Sequence, residues 1–198
     1  LNEAYAKAKA SLPDSVFSEL QQDQREWIAY RDERSAEAAA YDGGAEEGKE
    51  RENVEYWRSL ADLTGERTAI LGGWMRWDSF AHEWEGVWTD GHGGMLSILQ
   101  SGAGEFRFVL DVVRGPTYHL GHIGGLAKWN GHTARFTADE TTDDGETWLT
   151  FVKRGLKLEV IAENASGYHG VRAYFDGHYL RIAELTEEGR RNILSPER

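Results

Sequence analysis

Apolar side chains recur every three or four residues over the first third of the chain. From Leu20 through Trp27 to Ile28 this spacing forms one stripe, which is typical of an amphipathic α-helix. Pro13 and Asp14 indicate where this helix begins, because proline fits the first helical turn and an acid there interacts favourably with the helix dipole. We therefore expect a short first helix before Pro13 and a long second helix after it.

A third helical segment follows the paired glycines Gly43 and Gly44, since glycine accepts the left-handed conformation at a helix C-terminus. The pattern places its apolar face on Val54, Trp57, Leu60, Ala61, Thr64, Thr68 and Leu71. Gly72 and Gly73 are predicted to end it. Two long helices joined by a glycine-containing turn are expected to pack antiparallel as a hairpin.

From about Phe80 the period changes from 3.6 to 2, and short β-favouring runs alternate with turn residues. The predicted strands are Gly86–Thr89, Met95–Gln100, Phe106–Val113, Tyr118–Ile123, His132–Ala138, Trp148–Lys153, Leu156–Ala162, Val171–Phe175 and His178–Ile182. The predicted hairpin turns are Asn130-Gly131, Asp144-Gly145, Arg154-Gly155 and Asp176-Gly177. Consecutive strands without intervening helices indicate an antiparallel meander that forms a barrel or a curled sheet of eight to nine strands.

The predicted fold class is therefore α+β, in two parts. An N-terminal α-helical hairpin, made of two long helices plus a short first helix, occupies residues 1–75. An antiparallel meander β-barrel or curled sheet occupies residues 80–185. Residues 186–198 form a C-terminal tail with one helical turn.

The charge of the chain narrows the classes of partner. The sequence has 34 acidic and 22 basic residues, a formal net charge of -12. Such a surface repels nucleic acid and anionic membranes and speeds encounter with a cationic partner. No apolar run is long enough to span a membrane, and the absence of cysteine excludes disulfides and thiolate sites.

The sequence motifs give little support to a catalytic function. All seven histidines lie beyond residue 80, at His82, His92, His119, His122, His132, His169 and His178. His119 and His122 are three apart, so on a strand they face opposite sides of the sheet, which disfavours a shared metal ion. No serine lies in a GxSxG elbow. We predict no catalytic, cofactor or metal residues, and keep a histidine-dependent enzyme of unknown reaction as a third hypothesis.

The aromatic residues of the β part indicate binding instead. They outnumber what one face of a barrel of this size requires, so some are expected at a mouth or on the outside. Tyrosine, tryptophan and arginine are the usual anchors of protein interfaces. The candidate binding surface consists of His92, Trp129, Tyr168, Arg172, Tyr174 and His178.

The helical part resembles a known family. The residues that carry the resemblance are Leu1-Asn2, Tyr5, Leu20, Gln24, Trp27, Tyr30-Arg31-Asp32, Gly43-Gly44, Leu63-Thr64, Arg67 and Leu71. Over about residues 1–71 this pattern is similar to the LprI-like family, named for a mycobacterial lysozyme inhibitor. For the β part, Gly86-Val87-Trp88 followed by a meander loosely resembles calycin barrels and the small barrel inhibitors of c-type lysozyme.

The resemblance implies an exported protein, periplasmic or extracellular, whose helices are usually tied by two cysteines. Ser35 stands where the first cysteine is expected, and residues 56–59 offer no second, so pairing is left to the faces of Trp27 and Trp57. The chain begins at Leu1 rather than Met, which is compatible with a removed leader.

We expect a bacterial binding protein that inhibits lysozyme or another cationic cell-wall hydrolase, without an enzyme activity of its own. The alternative is a small-ligand-binding β-barrel with a helical accessory module.

Overall fold

A computed structural model describes residues 1–76, 84–115, 118–130, 133–142 and 145–195, without the side chains of 139–142. These residues fall into two compact units, a helical unit around residues 1–76 and a β unit that holds all the described strands. The predicted α+β arrangement, helices first and barrel second, is confirmed. The predicted boundaries at 75, 80 and 185 stay a prediction, because residues 77–83 lie outside the description.

The helical unit contains the three expected helices, with one short 3-10 helix in the connection. These elements are α1 (Asn2–Ser11), α2 (Asp14–Tyr41), the 3-10 helix Glu50–Glu52 and α3 (Val54–Trp74). The predicted break at Pro13 and Asp14 is confirmed. Asn53 caps α3, because its side chain accepts a hydrogen bond from the amide of Glu55.

Two predictions for α3 are wrong. The helix does not end at Gly72 and Gly73 but runs to Trp74, whose fully buried ring gives the last turn a reason to stay helical. The predicted apolar face is correct at Leu71, which is fully buried, but wrong at its start: Val54 and Trp57 are 65 % and 55 % exposed, and Tyr56 is buried instead. Trp57 therefore does not pair the helices.

A buried polar cluster holds the hairpin together. The Arg67 guanidinium donates from Nε to Gln24 Oε1 at 2.9 Å and from Nη2 to Asp23 Oδ2 at 2.7 Å. It also lies 5.4 Å from the centroid of the buried Trp27 ring. Ser35 is fully buried and donates to the carbonyl of Arg31. Packing and a buried charge with its counterion thus hold the two long helices together.

The β unit is a closed barrel of eight described strands, each antiparallel to its neighbours in sequence, with the last paired to the first. The strands are β1 (Gly86–Thr89), β2 (Gly94–Gly102), β3 (Glu105–Arg114), β4 (His119–Trp129), β5 (Thr133–Thr142), β6 (Gly145–Arg154), β7 (Lys157–Glu163) and β8 (Gly177–Ala183). Alternate residues point inward, as the period of 2 predicts.

Four ring contacts fill the middle of the barrel. Phe108 packs edge-on against Phe106, Phe136 and Phe151, with ring centroids 4.9 to 6.5 Å apart, and Phe106 also contacts Phe151. Edge-to-face packing at these distances suits the quadrupoles of aromatic rings. Gly125 on β4 makes room for this packing, because a Cβ there would lie 2.2 Å from the Phe136 ring.

The predicted strand Val171–Phe175 and the turn at Asp176-Gly177 are wrong. β7 pairs directly with β8, and Gly177 already pairs with Val160, so no place remains for a strand between them. Residues 164–176 form a connection that folds into one end of the barrel, where Ala173 and Phe175 are buried. The alternation that suggested a strand reflects this insertion.

The tail carries a helix of eight residues, α4 (Glu187–Leu194), longer than the single turn expected. Thr186 caps it by accepting a hydrogen bond from the amide of Gly189. Ile193 packs with Leu99 and Leu185 on the outside of the barrel. The tail is thereby tied to the outer face of β2.

We predict that Arg67→Ala lowers the free energy of unfolding of the helical unit by about 3 kcal/mol, because Asp23 and Gln24 lose their partner in a buried site. Arg58→Ala on the same helix is the matched control: its pair with Glu55 is exposed, and its loss costs at most about 0.5 kcal/mol. Urea unfolding followed by circular dichroism measures both. Equal effects of the two substitutions contradict the role assigned to Arg67.

Candidate functional site

The six residues predicted as a binding surface do not converge on one site. We call the barrel end with the β1–β2, β3–β4, β5–β6 and β7–β8 connections the lower end, and the opposite end the upper end. His92, Tyr168, Arg172 and Tyr174 lie in connections of the lower end. His178 lies on the outside of β8, opposite Glu159.

Trp129, the sixth residue, lies at the upper end, where β4 stops. The set therefore spans both ends of the barrel. Whether its members bind anything stays a prediction.

The lower end is organised by a buried ion pair between Arg114 and Asp90. Arg114 Nη2 lies 2.6 Å from Asp90 Oδ2, and the two side chains are 3 % and 6 % exposed. Burial alone would lower the pKa of Arg114, but the Asp90 carboxylate outweighs it and the pKa is raised. Arg114 therefore stays charged at every physiological pH.

This pair also positions two of the predicted residues. Arg114 donates from Nη1 to the carbonyl of His92 and from Nε to the carbonyl of Tyr174, whose ring centroid lies 4.4 Å from the guanidinium carbon. Asp90 accepts from the amides of His92 and Gly94, both at 2.8 Å. The polar groups of this cluster are used to hold the connections together, which is a structural role.

The upper end carries a tryptophan cluster with a lysine. Trp84 contacts Trp129 edge-on at 4.1 Å between centroids, and the Trp88 indole donates to the carbonyl of Trp84 at 2.9 Å. Lys153 Nζ lies 4.5 Å from the Trp88 ring centroid. Burial lowers the pKa of Lys153 to about 8, and the charge of Arg181 acts in the same direction.

Gly86 begins the first strand of the barrel, in the sequence Gly86-Val87-Trp88, at a position that favours glycine. Its φ of +146° is one that side chains rarely adopt, and a Cβ there would lie 2.2 Å from Arg181 Nε and 2.7 Å from the carbonyl of Ala183. Glycine thus lets β1 approach β8 closely and seats Arg181, 4 % exposed, inside the upper end.

The histidines do not assemble into a metal centre within the described part of the chain, where no three histidine or acidic side chains are arranged around a common point. His122 Nδ1 lies 2.6 Å from Asp111 Oδ1 on the outer surface, and His169 packs edge-on against Phe175. His82 and His132 lie outside the described residues.

The inward-facing side chains of the barrel are almost completely inaccessible to solvent. Sixteen of them are at most 2 % exposed: Trp88, Leu96, Ile98, Phe106, Phe108, Leu110, Val112, Ile123, Ala127, Ala134, Leu149, Phe151, Leu158, Val160, Phe175 and Tyr179. A water-filled lumen would give its lining an accessible surface. The lining formed by these sixteen side chains is therefore packed.

The helical unit presents two surface features instead. A groove of about 350 Å³ lies between α1 and α2, beside Tyr5, Arg25 and Ile28. The second feature is Trp57, whose half-exposed ring lies next to the acidic turn that joins α2 to α3. Sequence reasoning assigned Trp57 to the hairpin core. The signal that places it outside is the position of Tyr56, Leu63 and Arg67, which share the inner face at helical spacing.

No helix in the described part of the chain is both long and apolar enough to cross a membrane.

Residues 1–71 match the family model described as lysozyme inhibitor LprI, as the resemblance in the sequence predicted. The match covers the helical unit and ends before β1, so it gives no information about the barrel. No curated protein and no solved structure matches the chain.

We predict that Asp90→Asn destabilises the β unit by about 3 to 5 kcal/mol, because it leaves the Arg114 charge buried without its counterion. Asp111→Asn, which removes a carboxylate from the exposed pair with His122, should change stability by less than about 1 kcal/mol. Thermal and urea unfolding at pH 7 give both values. A mild effect at Asp90 contradicts the assignment of the pair as the organiser of the lower end.

We predict that Lys153→Met stabilises the β unit at pH 7, because a charged lysine there is disfavoured by burial. Since the pKa of the lysine is lowered in the folded state, the folded wild type releases its proton before the unfolded chain does. Wild-type stability therefore rises relative to the variant between about pH 8 and pH 10.5, and the advantage of the variant narrows. Unfolding of both proteins across this range tests the sign, and a pH-independent difference contradicts it.

Proposed function

We propose that this chain is an exported bacterial binding protein that inhibits lysozyme or another cationic cell-wall hydrolase. The observation that carries the proposal is the match of residues 1–71 to the family described as lysozyme inhibitor LprI. Under this proposal the chain works in the periplasm or outside the cell, without a reaction of its own.

The charge of the chain supports a cationic partner. The net charge of -12 would accelerate encounter with a basic enzyme through long-range attraction. The acids are spread over both units: residues 1–78 carry 17 acidic and 10 basic side chains, and the remaining residues carry 17 and 12. Attraction of this kind is screened by salt, which gives the proposal a measurable property.

The packed barrel supports binding on an outer surface over the alternative of a small-ligand carrier. Aromatic residues that a carrier would direct into a lumen are used here to close the core, as with Phe108 and Phe151. We propose that the barrel serves as a rigid body attached to the helical module.

The test is inhibition of c-type, g-type and i-type lysozymes by the full chain at about 0.05 M and about 0.5 M salt. We expect inhibition of at least one class at micromolar protein, weakened at the higher salt. An uninhibited panel at both salt concentrations overturns the proposal for lysozyme.

Bovine albumin, an acidic protein, is a control at equal concentration. If albumin inhibits the enzyme as strongly as this chain does, net charge alone is sufficient for inhibition. That result would count against a specific binding protein.

A further inference from the structure

The first turn of α3 exposes two apolar side chains, Val54 and Trp57, that are not used to pair the helices. The inner face buries Tyr56, Arg67 and Trp74. Val54 and Trp57 lie on another side of the helix, more than a quarter turn from Tyr56, and are 65 % and 55 % exposed. An exposed tryptophan beside a second exposed apolar residue is a candidate contact point, because tryptophan is enriched among the residues that dominate binding energy at protein interfaces.

Trp57 is held in one orientation although it is exposed. Its indole Nε1–H donates to the carbonyl of Arg51 at 2.8 Å, and its ring contacts Tyr56 at 5.2 Å between centroids and 75° between planes. Tyr56 is itself only 4 % exposed, so the support is rigid. A partner that covers this ring therefore loses little side-chain entropy.

The turn beside Trp57 is strongly acidic. Residues 42–55 contain six acidic and two basic side chains. Glu46 pairs with Lys49, and Glu55 pairs with Arg58. Glu47 and Glu52 are exposed and make no ion pair in the described part of the chain. Their carboxylates are available to an incoming cation.

An indole face and free carboxylates in one place select a cationic partner. The π-electrons of tryptophan attract a lysine ammonium or an arginine guanidinium, and the carboxylates add attraction and specificity. A second copy of this chain is a poor occupant, because it presents the same acidic turn and a net charge of -12.

We propose that the tip surface, defined as Val54, Trp57 and the acidic turn 46–52, docks a lysine- or arginine-rich face of a partner protein, with Trp57 as the central contact. The identity of the partner as a lysozyme rests on the proposed function. The tip surface specifies where, and by which chemistry, the binding takes place.

The test measures binding of the full chain to c-type lysozyme and to cytochrome c, a cationic protein that is not a hydrolase, by isothermal titration calorimetry at low salt. Trp57→Ala should weaken binding about 10-fold or more, as for a central interface tryptophan. Glu47→Lys combined with Glu52→Lys should weaken it about 10-fold without disturbing any contact of the fold.

Matched controls lie away from the turn. Leu120→Ala on β4 truncates another apolar side chain, 64 % exposed, and Glu19→Lys with Glu26→Lys on α2 makes the same change in net charge. Both should stay within about 3-fold of the wild type. Circular dichroism confirms that each variant keeps its helices.

The outcomes separate the inference from the proposed function. If lysozyme binds and the tip variants bind as tightly as the wild type, the tip surface is overturned and the function stands. If only cytochrome c binds, and the tip variants no longer bind it, the proposal of lysozyme as the partner is overturned and the tip surface stands. If neither cationic protein binds, both are overturned. Loss of lysozyme binding in the tip variants alone supports both.

Discussion

The buried Arg67 guanidinium is the interaction on which the helical unit depends. A charge taken out of water is tolerated only with full hydrogen bonding and a counterion, and Gln24 and Asp23 supply these from the facing helix. The same guanidinium lies against the Trp27 ring, so polar and apolar contacts are made on one inner face. With α3 held in this rotation, Tyr56 points inward and Trp57 is directed outward beside the turn. The position of the candidate binding residue thus follows from the way in which the hairpin is closed.

The lower end of the barrel follows the same principle, whereas the upper end depends on a close backbone approach. Arg114 with Asp90 organises the lower end, whereas Arg181 with Gly86 fits β1 against β8 at the upper end. Between these ends the aromatic rings fill the interior. The polar residues that looked available for binding in the sequence are partly engaged in these arrangements, as the His92 carbonyl and the Tyr174 carbonyl show. The aromatic content of the β unit is consequently explained mainly by its core.

The fold was more accessible to sequence reasoning than the site. The change from period 3.6 to period 2 reflects side-chain geometry that every residue of an element shares, so helices and barrel strands were predicted correctly. The strand Val171–Phe175 failed because burial of alternate residues also arises when a loop inserts into a barrel end. Trp57 was misplaced because Tyr56 and Trp57 are adjacent and both aromatic, and hydrophobicity does not distinguish which of them faces α2. What distinguishes them is Arg67, whose partners Gln24 and Asp23 lie on the other helix, 43 and 44 residues away in sequence.

Hydrogen exchange of the full chain, with and without saturating c-type lysozyme, is the measurement that tests the central claim most directly. The amides of residues 46–58 should gain protection when the enzyme binds, because docking removes this segment from solvent. The segment comprises the end of the connection between α2 and α3 and the first residues of α3. The connections at the lower end of the barrel should exchange as before. Protection confined to the barrel, or no change anywhere at saturation, would contradict the account.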